Sequence, residues 1–345
     1  MDSTDIRILS VGTALPGPPI DNARLAERFG MPVVWQQWME TYVGTRSRHF
    51  CRDLDTGDVR HTLTDLAESA GRRALTAADL TGADVDAVVM STASPDALMP
   101  ATVNMVADRL GIDDVPTYQL QSGCTGAVQA MEVAGRMLRT GDCRTVLVLG
   151  GDSCAKHLDL TMDIRDVPPE VQINGLLFGD GAGAAVLSTQ PGEAAPVLLG
   201  VFTRLIGRNR APGQTVEWFS WGDRATADRR MPVTEDFKAV EESAPKMAIE
   251  ALDDLLGRVN WTRSQVDYLL PPQLSAKMTA RIVEALGLPA ADPVSRVAEI
   301  GNTGNAIPFF QLEELMPRFA PGERAVGVSV EASKWIKAGY AIEVP

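Results

Sequence analysis

The same order of strand-like and helix-like segments occurs twice along this 345-residue chain, and this internal repeat restricts the fold more than any other feature. In the first half, the pattern of apolar residues predicts strands at 5–11, 85–91, 117–121, 144–150 and 181–188 and helices at 62–77, 101–110 and 125–139. In the second half, it predicts strands at 196–202, 266–270, 325–330 and 339–344 and helices at 236–256, 275–286 and 305–316. Strands this apolar are typical of sheets that are buried on both faces. We therefore predict an α/β fold, a five-layer α/β/α/β/α sandwich formed by two equivalent halves, 1–190 and 191–345.

Two glycine-flanked turns occupy equivalent positions in these halves. Cys124 lies between a predicted buried strand and the start of a helix, in the run SGCTG at 122–126, and Asn302 lies in the run IGNTG at 300–304. A pseudo-twofold axis between the halves would bring both side chains to one central pocket. A cysteine at a helix N-terminus is near the positive end of the helix dipole, so we expect a stabilised thiolate at Cys124. Segments 154–177 and 203–235 fit no element of the repeat, and long insertions of this kind usually cover a site.

The composition excludes several classes of protein. A formal net charge of −13 argues against general nucleic-acid binding, which needs a basic face. No window of 18 residues is uninterruptedly apolar, and the N-terminus is acidic, so we expect no membrane span and no signal peptide. The four cysteines lack the spacing of metal ligands, so we expect free thiols and no metal. These features predict a soluble, cytoplasmic protein.

Six short motifs occur along the chain, namely GTRSRH at 44–49, Met99-Pro100, GCTG at 123–126, FGDGAGA at 178–184, DYLLP at 267–271 and Gly301-Asn302-Thr303. Their order along the whole chain resembles that of the thiolase superfamily, specifically its ketoacyl synthase III-like branch. The resemblance implies the duplicated thiolase-like fold and a homodimer. It also implies a Cys-His-Asn triad, of which Cys124 and Asn302 are present. The family's histidine position, 30 residues before the asparagine, is occupied by Pro272.

Because the histidine is missing, the residue that would act as the general base is not identified. His157, Glu299 and Glu331 are candidate substitutes. The resemblance also implies an oxyanion hole with one N–H donor from Cys124 and one from a glycine-rich turn. That turn corresponds to 331–334 here and has no glycine, so we leave the second donor open.

Further residues follow from the resemblance alone. Trp38 matches a tryptophan that stacks on coenzyme A, whereas Tyr42 stands in place of its companion arginine. Lys277 and Arg281 lie on a helix that docks acidic acyl carrier proteins in the family, and Met99 matches a residue that closes the partner's acyl pocket. We expect no permanently bound cofactor. The expected substrate arm is the phosphopantetheine thioester of a carrier protein, or coenzyme A.

These observations favour an acyltransferase of polyketide or antibiotic biosynthesis that works through an acyl-Cys124 intermediate. Losing one oxyanion-type donor costs roughly 3–4 kcal/mol, which weakens decarboxylative condensation more than simple acyl transfer. The acceptor would be a second carrier protein or a small molecule with a hydroxyl or amine. Two alternatives remain open: a priming ketoacyl synthase with a displaced base, and a non-catalytic acyl-binding partner.

Overall fold

The structure is a computed structural model that describes residues 5–157, 164–166, 172, 176–190, 195–217 and 233–345. Much of the two predicted insertions, 154–177 and 203–235, lies outside these residues. None of the described helices is long and apolar enough to cross a membrane.

The described strands include the nine that the sequence pattern predicts, in the predicted order, together with five of two or three residues that it does not predict. They are β1 (Arg7–Ala14), β2 (Ile20–Asp21), β3 (Ser47–Arg48), β4 (Ala87–Thr92), β5 (Thr117–Gln121), β6 (Thr145–Asp152), β7 (Gly181–Ser188), β8 (Val197–Leu205), β9 (Gln214–Val216), β10 (Val233–Glu235), β11 (Tyr268–Leu270), β12 (Asp292–Pro293), β13 (Arg324–Glu331) and β14 (Ile336–Glu343).

The described α-helices include the six that the sequence pattern predicts, together with three short ones that it does not. They are α1 (Asn22–Arg28), α2 (Val33–Trp38), α3 (Leu63–Ala77), α4 (Thr102–Leu110), α5 (Gly126–Thr140), α6 (Phe237–Val259), α7 (Ala276–Leu286), α8 (Val297–Ile300) and α9 (Ile307–Leu315). A π-helical turn, Met39–Val43, follows α2, and a 3₁₀ turn, Gly304–Ala306, precedes α9. Thr62 caps α3 with a reciprocal capping box to Asp65, which explains why this helix begins where it does.

The sheet confirms the duplication. Its strand order is β5-β4-β6-β7-β1 in one half and β12-β11-β13-β14-β8 in the other. In each half the first three strands are parallel, and the last two pair antiparallel. The halves join through β1 and β8, where Arg7 pairs with Val197. Because the two orders are equivalent, β5 corresponds to β12, and the turn that follows each strand has the same place in its half.

Alternate residues along the strands divide the core into layers. Val89 and Val148 face a central cluster with residues of α5 and α9, whereas the neighbouring Val88 and Leu147 face α3 and α4. In the second half, the opposite face of the sheet packs against α6 and α7. This arrangement is the predicted five-layer sandwich, with α5 and α9 in the middle.

The two end strands depart from the prediction that all strands are buried on both faces. Residues of β5 are either partly buried or exposed, and both residues of β12 are exposed. Each of these strands pairs on one side only among the described residues, because each ends its half of the sheet.

Close packing of α9 on the sheet fixes the position of the Asn302 turn. A Cβ at Gly183 would lie 2.3 Å from Phe309 Cβ, and one at Gly150 would lie 2.5 Å from the carbonyl oxygen of Asn305. Only glycine lets the helix and the preceding 3₁₀ turn approach these strands so closely. The glycine-rich run that leads into β7 therefore serves helix–sheet packing.

Candidate active site

Cys124 lies in the short turn between β5 and α5 and is half-buried. Its carbonyl oxygen accepts a hydrogen bond of 2.7 Å from Ser329 Oγ on β13. A strand of the second half, β13, thus holds the candidate nucleophile of the first half, Cys124.

Asn302 is buried in the equivalent turn of the second half. Its backbone forms a bridge to the segment before β7, donating to the Leu177 carbonyl and accepting from Gly179 N–H, both at 3.0 Å. Its side-chain Oδ1 accepts from Gly304 N–H at 3.0 Å. Gly304 has φ +55°, and any Cβ there would meet Asp152 Oδ2 at 2.3 Å, so this turn requires glycine. With Oδ1 engaged, the Asn302 amide presents its two N–H donors away from Gly304.

Two cavities meet at Cys124 and Asn302, as the repeat predicts. The larger one extends toward the start of α6 and is lined mainly by apolar side chains, with Gln214, Glu235 and Glu331 as its other polar contributors. The smaller one extends toward α9 and is lined by Pro272, among others. Gln273 fixes the backbone at Pro272, because its amide donates to Val294 O and accepts from Arg296 N–H.

Glu331, the last residue of β13, is buried against the cysteine turn. Its Oε2 accepts hydrogen bonds from Ser122 Oγ (3.0 Å), Thr125 Oγ1 (2.6 Å) and Thr125 N–H (3.2 Å), and its Oε1 accepts one from Ser333 Oγ. Thr125 is the residue that precedes α5. The carboxylate therefore occupies the N-terminus of this helix, immediately beside Cys124.

Comparison with known proteins identifies the family. Models of 3-oxoacyl-[acyl-carrier-protein] synthase III and of its C-terminal domain match residues 118–203 and 256–334. A β-ketoacyl-[acyl-carrier-protein] synthase III of Streptomyces coelicolor is 30% identical, over 92% of this chain and 91% of that protein. A Pseudomonas aeruginosa enzyme of the same name is 31% identical over 86% of this chain and 83% of its own length. The chain belongs to the 3-oxoacyl-[acyl-carrier-protein] synthase III family.

Solved structures agree with this assignment. The protein is similar to AbyA1, described as a tetronic acid condensing enzyme, with 55% identity, a TM-score of 0.94, and coverage of 98% of this chain and 99% of that one. It also resembles the priming β-ketosynthase of the R1128 polyketide pathway, with 26% identity, a TM-score of 0.82, and coverage of 99% and 96%. The thiolase-type fold of a synthase III is therefore established for this chain.

The surroundings of Cys124 argue against the expected stabilised thiolate. Burial raises the pKa of the Cys124 thiol well above its usual range, and the carboxylates of Glu331, Asp152 and Glu235 raise it further. The reason lies in the structure rather than in the motif. The helix N-terminus that should stabilise a thiolate already holds the Glu331 carboxylate.

Asp152 and Asn305 form a second buried contact that the sequence analysis missed. Asp152 Oδ2 accepts from Asn305 N–H (2.9 Å) and Asn305 Nδ2 (2.8 Å), and its Oδ1 accepts from Thr92, Ala93 and Ser94. Burial raises the pKa of Asp152, and the hydrogen bonds from Asn305 oppose that shift. An acidic residue at the end of an apolar strand is the feature of the sequence that could have indicated this contact. Its partner, Asn305, lies 153 positions away, so no local pattern identifies it.

Of the three candidate bases, only Glu331 lines a cavity with Cys124. Glu299 forms a surface ion pair with Arg46. His157 lies in the 3₁₀ turn after β6 and does not line either cavity. Burial, together with the charge of Lys156, lowers the pKa of His157 to about 4, so its imidazole is neutral at physiological pH.

The turn 331–334 lacks the glycines of the family's pattern, and none of its four residues has a positive φ angle. Trp335 takes the left-handed conformation instead, with φ +62°. Its indole N–H donates to Ala211 O at 2.7 Å, and the guanidinium of Arg210 lies 3.7 Å from the ring centroid. These contacts hold a conformation that is unfavourable for a tryptophan and fix the wall of the larger cavity next to Glu331.

The residues implied for donor binding and dimer contact lie outside both cavities. Trp38 packs near Tyr42, with ring centroids 6.2 Å apart. Lys277 is exposed on α7, whereas Arg281 is paired with Glu241 at 2.8 Å. Met99 is 87% exposed, and an apolar side chain this exposed can belong to a surface that binds another protein.

Replacing the carboxylate tests whether Glu331 controls the thiol. We expect Glu331→Gln to raise the rate of Cys124 alkylation by iodoacetamide about tenfold at pH 7–8, because removing the negative charge lowers the thiol pKa. The measurement is the pH profile of alkylation of the Cys124 peptide, followed by mass spectrometry. Ser333→Ala, which keeps the charge, should change the profile much less. Identical profiles for Glu331→Gln and the unsubstituted protein would show that Glu331 does not control the thiol.

Proposed function

We propose that this member of the synthase III family transfers an acyl group from a carrier-protein or coenzyme A thioester through an acyl-Cys124 intermediate, without decarboxylation of a malonyl thioester. The observation that carries the proposal is Pro272, which lines the smaller cavity together with Cys124 and Asn302. An imidazole at that position would be a second donor beside the Asn302 amide, and the proline ring supplies none. A thioester enolate would have to rely on Asn302 alone.

Acyl transfer requires fewer hydrogen-bond donors and acid–base groups than decarboxylative condensation does. Cys124 Sγ attacks the thioester carbonyl, and the departing pantetheine thiol receives the proton that the cysteine loses, so the exchange is balanced. Glu331 binds the cysteine turn through Thr125 N–H and Oγ1, and we assign it the role of passing that proton. The Asn302 N–H groups would donate to the carbonyl oxygen on which negative charge develops.

The similarity to a tetronic acid condensing enzyme supports this proposal and suggests the kind of acceptor. A tetronic acid ring is a five-membered lactone, so joining two thioester fragments into it makes one C–C bond and one C–O bond. Each bond forms when a nucleophile attacks a thioester carbonyl and a thiol leaves. Neither step requires loss of carbon dioxide. We propose that the acceptor is a carbon or hydroxyl nucleophile on a second carrier-bound or small-molecule partner.

A priming ketoacyl synthase is the second candidate function. The relatives named β-ketoacyl-[acyl-carrier-protein] synthase III and the R1128 priming enzyme favour it. It would require a base other than the family histidine, and Glu331 is the candidate that the larger cavity offers.

Restoring the histidine is the decisive experiment. We expect the unsubstituted protein to gain the mass of one acyl group on Cys124 from acyl thioesters but to release no carbon dioxide from malonyl thioester. Cys124→Ala should abolish the acylation, because it removes the thiol that lines both cavities. Pro272→His should gain measurable malonyl decarboxylation, because it adds the missing donor, with intact mass and carbon dioxide release as the measurements.

Pro272→Ala is the matched control, because it removes the proline ring without adding an imidazole. Decarboxylation by the unsubstituted protein at a rate comparable to acyl transfer would establish the priming synthase instead. Failure of Cys124 to acquire any acyl group would favour a non-catalytic acyl-binding partner.

Docking of an acidic carrier protein on α7 can be tested by charge reversal. We expect Lys277→Glu combined with Arg281→Glu to raise the KM for a carrier-bound donor about threefold to tenfold, with an effect that shrinks as salt increases. The same acyl group on free pantetheine should be almost unaffected. Arg318→Glu, on a different element, is the control variant. Equal losses on both donors would contradict docking on α7.

We also propose a homodimer that uses the exposed segment at Met99 and the open edge of β5. Leu98 and Met99 are 75% and 87% exposed, and β5 has no second strand beside it in the described part of the chain. We expect light scattering at micromolar concentration to give a mass near twice 37.0 kDa. Leu98→Asp combined with Met99→Asp should shift it toward the monomer, whereas Val59→Asp should not. A monomeric unsubstituted protein would contradict the proposal.

A further inference from the structure

A buried amide joins the two turns of the candidate active site, the cysteine turn (122–126) and the asparagine turn (302–306). Asn305 is completely buried in the 3₁₀ turn that precedes α9. Its Nδ2 donates a hydrogen bond of 2.9 Å to the carbonyl oxygen of Ser122. Among the described residues, no other hydrogen bond connects the two turns.

The other contacts of the cysteine turn with the second half lead to β13. Ser329 donates to the carbonyl oxygen of the cysteine itself, and the Glu331 carboxylate accepts from hydroxyl and N–H groups of the turn. These contacts fix the turn against the sheet. Strand β13 does not carry the Asn302 amide, so the direct link between that amide's turn and the thiol's turn is the one through Asn305.

The hydrogen bonds of the Asn305 side chain are those that its nitrogen donates. Nδ2 also donates to Asp152 Oδ2 at 2.8 Å, whereas Oδ1 has no hydrogen-bond partner in the described part of the chain. A turned amide would place its oxygen against the Asp152 carboxylate and the Ser122 carbonyl oxygen, which are both acceptors. A buried acceptor without a donor is unfavourable, and an apolar side chain of similar size would avoid that cost. The amide is therefore present for its two donors.

The first residue of α5 leaves space for this amide. A Cβ at Gly126 would lie 2.1 Å from Asn305 Oδ1, closer than any two such atoms can approach. Only glycine at this position lets the side chain reach the cysteine turn beneath the start of the helix.

We propose that Asn305 is a positioning residue of acyl transfer, because its amide sets the separation between Cys124 Sγ and the Asn302 amide. The inference rests on the proposed function, in which these two groups act on the same thioester carbonyl. Asn305 lines neither of the two cavities and so acts through the turns that it joins. A displacement of about 1 Å between reacting groups can lower a rate about a hundredfold, so the link matters for the chemical step more than for binding.

Exchanging two side chains separates the link between the turns from the stability of the core. In the double variant Asp152→Asn with Asn305→Asp, an amide still faces a carboxylate, but position 305 no longer has an N–H group to donate to Ser122. Asp152→Asn alone places two amide nitrogens together, and Asn305→Asp alone places two carboxylates together. We therefore expect the double variant to have a higher Tm than either single variant.

The rate of Cys124 acylation should not recover with the Tm. Intact mass gives the maximal acylation rate and the thioester concentration at half of that rate. We expect the double variant to be about tenfold to a hundredfold slower than the unsubstituted protein at saturation, with the half-saturating concentration changed less than about twofold. Leu66→Ala is the control for stability, because Leu66 is buried on α3 in the layer that faces away from α5. It should lower the Tm and keep the maximal rate.

Hydrogen exchange tests the link without any acyl transfer. We expect amide exchange in the peptide that covers 122–126 to be severalfold faster in the double variant than in the unsubstituted protein, measured well below the Tm of both. Asn305→Ala leaves Asp152 unchanged and should show the same faster exchange and the same loss of maximal rate, so the test remains if the double variant does not fold. Leu66→Ala should leave exchange in this peptide unchanged.

Unchanged exchange in 122–126 would overturn the proposal, and so would a maximal rate that recovers together with the Tm. If exchange increases as expected but the unsubstituted protein acquires no acyl group on Cys124, the proposed function fails while the link through Asn305 stands. If the Asn305 variants are acylated as fast as the unsubstituted protein, the positioning role fails while acyl transfer stands.

Discussion

Two buried carboxylates tie the halves of this protein together, and the geometry of the candidate active site depends on them. Asp152 ends β6 and Glu331 ends β13, which are equivalent strands of the duplicated sheet. Each carboxylate binds the turn of the opposite half: Glu331 accepts from Thr125 N–H beside Cys124, and Asp152 accepts from Asn305 N–H beyond Asn302. The pseudo-twofold axis thus relates the two contacts as well as the two turns.

Burying these carboxylates is costly unless donors replace the lost water. Hydrogen bonds to charged groups contribute about 1.5–3 kcal/mol each, and both side chains accept several. Removing a donor would leave a buried charge short of partners. The two turns are consequently held in one arrangement, which keeps Cys124 and Asn302 on the walls of the same cavities without a direct bond between them.

Most of the fold was predictable from the sequence because it depends on local patterns. The sequence pattern predicted β5 and β7 with the observed bounds, and the two glycine-flanked turns predicted which residues would meet. Strand β12 was not predicted, because it has two exposed residues and no apolar pattern. Glu331 was named only as a candidate base. Its contact with Thr125 joins residues 206 positions apart, and no local pattern reveals such a contact.

The long-range contact between Glu331 and Thr125 also affects the pKa of the Cys124 thiol. A helix N-terminus carries a partial charge of about +0.5, whereas an ionised carboxylate carries a full negative charge. Burial, together with the Glu331 carboxylate at the start of α5, raises the pKa of the Cys124 thiol even though the sequence around Cys124 is the one expected at a reactive helix N-terminus. The Glu331 carboxylate that binds the cysteine turn is therefore also one of the charges that disfavour a thiolate at Cys124. The motif around Cys124 defines its place before α5, whereas the charge beside it comes from a residue of the other half that no local pattern reveals.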